Sequence, residues 1–137
     1  MEFKDLVTLY FERWNAMQTF WNFHIAIILG LLAFFGSDHA RPRSLAWVLS
    51  IAFAVFAAVN LAGLLGVTRQ RLAIKKLISS AAVDTKAVDP KAADSKYAEL
   101  KNAIVDSGAT RGWVWFMHLS GDVATIAAIW FLTLRAA

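Results

Sequence analysis

Between Leu45 and Val67 the chain reads LAWVLSIAFAVFAAVNLAGLLGV, with no Asp, Glu, Lys or Arg anywhere in the run. At 1.5 Å per residue such a helix is about 35 Å long, enough to cross a hydrocarbon core of about 30 Å. It also lacks the polar face that a soluble bundle would turn to water. The segment therefore predicts a membrane span, and two further runs follow the same logic. Trp14 to Phe35 is nearly as long and carries no charge if His24 is neutral, and Trp113 to Leu134 matches it in length but encloses His118 and Asp122. The chain of 137 residues is 58% hydrophobic and 18% charged, against about 45–50% and about 25% in soluble domains.

The predicted fold class is all-α: an integral membrane bundle of three transmembrane helices with a cytoplasmic helical hairpin between the second and third. The chain reads as a single membrane domain. Residues 1–13 form an amphipathic N-terminal helix, 14–35 the first span, 45–67 the second, 68–112 the hairpin and linker, and 113–134 the third. Phe3, Leu6, Val7, Tyr10 and Phe11 supply the apolar stripe of the N-terminal helix, with no breaker before the first span. Glu2 and Asp5 spoil the basic n-region of a cleaved signal peptide, so the first span is expected to stay. The six tryptophans fall mostly near the ends of the runs, where an indole suits the headgroup layer.

Orientation follows from the basic residues. Lys4, Arg13 and nine Lys or Arg residues between the second and third spans fall on one side, and Arg41, Arg43 and Arg135 on the other. Positive residues favour the cytoplasmic face, so the N-terminus is expected inside and the C-terminus outside, in a bacterial inner (cytoplasmic) membrane. The net charge of +4 then belongs to topology, and no basic patch interleaved with aromatics suggests nucleic acid as a partner.

Within the hairpin, Leu72, Ile74, Leu77 and Ile78 continue the second helix past the membrane. The stretch 82–95, with Pro90, reads as a turn or linker. A short helix is expected after it, capped by Asp94 or Ser95, ended by Gly108, and presenting Tyr97, Leu100 and Ile104 as an interaction face. On the second span Ala46, Ser50, Ala54, Ala58, Ala62 and Gly66 recur every fourth position, and Ser120, Ala124 and Ala128 do so on the third. Small residues at this spacing let helices approach closely in lipid, and the long row winds toward at least two neighbours. Self-association, or association with other membrane subunits, is the partnership expected beside the bilayer itself.

The polar residues inside the spans carry what functional information there is. Asn15, Gln18 and Asn22 form one stripe on the first span, which must face protein or water. Counted from the span ends, His24, Asn60 and Asp122 lie near one level, with His118 one turn from Asp122, so Asn22, His24, Asn60, His118 and Asp122 form a candidate intramembrane layer. An ionised Asp near mid-bilayer is costly, about 2.5–3.5 kcal/mol on insertion scales. Asp122 therefore pairs with a histidine or Asn60 and fastens the helices, or lines a cavity for protons, an ion or a small ligand. It could also join His24 and His118 as metal ligands, or the two histidines could hold haem. His39, in the loop SDHARPRS, reads as a solvated residue. The reading carried forward is a non-enzymatic membrane protein acting as a homo-oligomer or accessory subunit, with no cofactor, metal or catalytic residue assigned. Ion or proton transport through the layer is the first alternative, and a sensor working through the hairpin the second. The absence of cysteine removes disulfide frameworks and thiolate chemistry, and no phosphate loop or Ser–His–Asp arrangement appears.

Overall fold

A computed structural model describes residues 2–37, 42–80, 90–106, 108 and 110–135, with the side chains of 90–96 left aside. Among the described residues the chain is all-helical: α1 (Phe3–Gly36), α2 (Arg43–Ser80), α3 (Pro90–Asp106) and α4 (Arg111–Arg135). α1, α2 and α4 are each long and apolar enough to cross a membrane. α1 is continuous from the amphipathic stretch into the apolar run. Its first turn closes with a capping box in which Glu2 and Asp5 satisfy each other's backbone N–H, the arrangement that leaves fewest orphan donors at a helix start.

Three buried clusters fix how the helices run. Leu6 and Tyr10 meet Ile74, Ile78 and Ile104. Met17 meets Leu64 and Val114. Phe35 meets Ala46 and Ile129 at the far end. α2 is therefore antiparallel to α1 and α4, and those two are parallel. The buried positions of α2 advance from Ala46 through Ser50, Phe53, Ala57, Asn60, Leu64, Thr68 and Arg71 to Ile74 and Ile78 in steps of three and four. That spacing follows the 3.6-residue turn and holds one face of α2 against α1, with α4 alongside from Ala46 to Leu64 and α3 at its last turns.

Outward, the three long helices present what lipid accepts: Val48, Ile51, Val55 and Val59 on α2, and Phe23, Ile25 and Leu29 on α1, are exposed. Tryptophans mark both ends. Trp47 and Trp130 pack edge to face at 4.9 Å beside the Phe35 cluster, while Trp14 and Trp113 lie at the Met17 end. Trp130 lies seventeen residues after Trp113 on α4, about 26 Å of helix, close to the thickness of a bilayer core.

Beyond the Met17 end the helices continue. The first turns of α1, the last turns of α2 and α3 share the Leu6, Tyr10, Ile74, Ile78 and Ile104 cluster, with Phe3, Val7 and Leu9 packed around it. α3 starts at Pro90, earlier than the Asp94 or Ser95 cap expected from sequence, and part of the expected linker is therefore helical. Proline suits a first helical turn because the N–H it lacks has no partner there. The rest of that linker, 82–89, lies outside the described residues, as does His39. Gly108, two residues past α3, has φ of +105°, a conformation that glycine adopts without the strain a Cβ would add.

Candidate functional site

The layer assembles where α1, α2 and α4 cross, midway between the tryptophan belts. Asp122 is nine residues from Trp113 and eight from Trp130. His118 and Asp122 stand one turn apart on α4 and face inward, buried together with Thr125 on the same stripe. α1 brings His24 from one side and α2 brings Asn60 from the other, each almost inaccessible.

The contacts form a chain. Asn60 Nδ2 donates to His118 Nε2 at 3.2 Å, which leaves Nδ1 as the protonated ring nitrogen, and Nδ1–H donates to Asp122 Oδ2 at 2.7 Å. At 2.7 Å this is a short bond for a nitrogen donor. His118 is thereby satisfied at both nitrogens. His24 is not. Its Nε2 lies 3.1 Å from Asp122 Oδ1 but out of line for a hydrogen bond, so Nε2, Oδ1 and the other His24 nitrogen, Nδ1, are all buried without a hydrogen-bond partner. A buried polar atom left in this state ordinarily costs about 1–3 kcal/mol.

Aromatic rings close the site. His24 stacks between His118, at 4.1 Å, and the rings of Phe53 and Phe56, at 6.0 and 5.9 Å. Trp21 meets both imidazoles, 6.2 Å from His24 and 5.8 Å from His118. Behind Trp21 is an apolar cavity of about 310 Å³ between α1 and α4, lined by Met17, Trp21, Ile25, Trp113, Val114 and Met117. With the imidazoles in contact, no room remains for a porphyrin between them, so bis-histidine haem does not fit this arrangement.

Four of the five residues singled out as a layer are thus brought together; Asn22 is not. It is exposed, as are Asn15 and Gln18. Asn22 shares the depth of His24, but two residues rotate a helix by about 200°, which puts it on the opposite side of α1. The small-residue row divides in the same way. Ala46 and Ser50 are buried, whereas Ala54, Ala58, Ala62 and Gly66 are exposed. A row of fours gains about 40° per step on the helix and so leaves the buried face of α2 after Ser50. Ser120 and Ala124 are exposed on α4, and a Cβ built on Gly121 meets nothing within 4 Å. The tight approach is elsewhere: a Cβ on Gly63 would lie 2.6 Å from Phe20 Cε1. Spacing gave no sign of it, because Gly63 is one residue out of the row.

At the α3 end, Ile104 is covered by this chain's own α1 and α2, and Tyr97 packs edge to face on Phe3 at 5.7 Å. Of the three residues expected to offer an interaction face, Ile104 is thus buried within the chain, whereas Tyr97 and Leu100 stay exposed, Tyr97 with one edge on Phe3. Arg71, missed from the sequence, is almost fully buried, its guanidinium 5.0 Å from the Trp14 ring centroid and against Gly108. The charge-free stretch before it hid the signal, since a basic residue just past a span reads as a topology marker.

No family model matches the chain, and neither a curated protein nor a solved structure is similar to it.

Proposed function

We propose that this is a small non-enzymatic membrane protein that works together with further membrane helices, as a homo-oligomer or as a subunit of a larger complex. The observation that carries the reading is the stripe of Asn15, Gln18 and Asn22, exposed on the outside of α1 within its apolar run. Amide side chains facing hydrocarbon lose their hydrogen bonds to water, so such a stripe belongs against protein or a water-filled cleft. The outward row Ala54, Ala58, Ala62 and Gly66 adds a smooth ridge on α2 of the kind helices use for close packing in lipid. In this reading the N-terminus and the α3 region are cytoplasmic and the C-terminus external, on the strength of the basic residues, in an inner membrane.

Blue-native migration in the source membrane and mass measurement in nanodiscs test it together. The wild type is expected above monomer mass in at least one of them, and the combined change of Asn15, Gln18 and Asn22 to Leu is expected to return it to monomer without loss of helicity. A monomer in both experiments overturns the reading.

A second reading is favoured by the His24 nitrogens, buried without a hydrogen-bond partner: the layer around Asp122 binds or conducts an ion, a proton or a small ligand. Cation or proton flux in proteoliposomes that Asp122→Asn removes supports it. Binding and flux unchanged in Asp122→Asn refutes it, since Asn keeps the volume but not the charge.

A further inference from the structure

We propose that His24, His118 and Asp122 bind a divalent first-row transition-metal ion inside the bundle. The proposal rests on the second reading above and names its ligand. Four observations carry it. Each of the three residues can offer one ligand atom such that these atoms all lie within 4.8 Å of one another, and all three are buried. The donor set, two imidazole nitrogens and one carboxylate oxygen, is one that Zn²⁺ and its first-row neighbours accept, with a position left for water or another ligand. His24 Nε2 and Asp122 Oδ1 face each other across 3.1 Å without the alignment of a hydrogen bond, so two lone-pair-bearing atoms converge where a cation between them would satisfy both. Finally, the outer partner of a ligating histidine is already in place. When His118 Nδ1 turns from Asp122 to the metal, its proton moves to Nε2, and the Asn60 amide, turned over, accepts that N–H through its oxygen.

Charge sets the state of the site. A divalent ion with one carboxylate and two neutral imidazoles leaves one positive charge in a water-poor interior, which favours hydroxide or another anion in the open position. A metal takes these ligands as two neutral imidazoles and one carboxylate. Trp21 stands between the imidazoles and the apolar cavity between α1 and α4.

The test uses the full chain, freed of any affinity tag, in nanodiscs and in a His39→Gln background so that the loop histidine cannot contribute. Zn²⁺ and Co²⁺ alone are the probes. One Zn²⁺ per chain after dialysis, ligand-field bands of a low-symmetry Co²⁺ site that Zn²⁺ displaces, and an X-ray absorption shell containing imidazole are expected. His24→Gln and Asp122→Asn should each weaken affinity by at least about 100-fold, and Asn60→Leu by about 10–100-fold, the range for loss of a ligand's hydrogen-bond partner. Helical circular dichroism and elution volume establish that each variant is folded. Substoichiometric binding by folded wild type, an absorption shell without imidazole, or undiminished affinity in folded His24→Gln overturns the proposal. The absorption experiment needs only the His39→Gln chain and decides the matter even where the site variants fail to fold. Flux lost in Asp122→Asn without metal uptake would refute the metal and leave the conducting layer standing, whereas failure of both removes the reading beneath it.

Discussion

Ile104→Ala tests whether α3 is held by its own chain. Ile104 is 3% exposed in the cluster with Leu6, Tyr10, Ile74 and Ile78, and with the edge contact of Tyr97 on Phe3 it helps fasten the second half of α3 to the other helices. On the proposed topology this cluster lies past the apolar run of α2, in water, and its burial is then driven as in a soluble core. Removing three side-chain carbons at about 0.8 kcal/mol each forfeits about 2.4 kcal/mol, and the cavity left behind raises the total toward about 3 kcal/mol. Because 1.4 kcal/mol is tenfold in an equilibrium, undocking of α3 should become more than about 100-fold easier. Leu100→Ala, at a position 37% exposed, should cost about 1 kcal/mol. Amide hydrogen exchange in detergent or nanodiscs reads the difference directly. Protection across 97–106 should fall steeply in Ile104→Ala and little in Leu100→Ala, while the middle of α1, α2 and α4 keeps its protection. Equal losses from the two variants, or losses spread evenly through the membrane helices, would refute the account of α3 as a docked segment.

Gly63→Ala pushes a methyl group toward Phe20 Cε1, so α1 or the ring must shift; overpacking of this kind costs about 1–3 kcal/mol and should lower the thermal midpoint. Gly30→Ala, where a Cβ meets nothing within 4 Å, should leave the midpoint unchanged or raise it slightly through better helix propensity, and an equal loss in both would show that the close approach at Gly63 is not what matters. Gly108→Ala combines a φ of +105° with a Cβ 2.9 Å from Arg71 Nη2, so a destabilisation of at least about 1–2 kcal/mol is expected, together with a change in Trp14 fluorescence as the guanidinium leaves the ring. A variant matching wild type in both measurements would contradict that geometry.

The sequence alone determined that there are three long apolar helices and where each runs. Apolar stretches long enough to cross a bilayer have few other ways to satisfy their backbone, and a helix satisfies it locally, without reference to the rest of the chain. Depth was legible for the same reason: a constant rise per residue places His24, Asn60 and Asp122 near one level once the span ends are known. Rotation was not. Whether a residue at the right depth faces inward depends on which side of its helix the neighbours occupy, and that is settled by the packing of Met17 on Leu64 and Val114 and of Phe35 on Ala46 and Ile129. Those contacts turn His24 toward Asp122 and Asn22 away from it. They also leave Ala54, Ala58, Ala62 and Gly66 on the outside and hide Arg71 within the bundle. In lipid, apolar and small side chains are accepted on either face, so composition along a single helix carries little information about its rotation. Only the contacts between helices select one face as the interior.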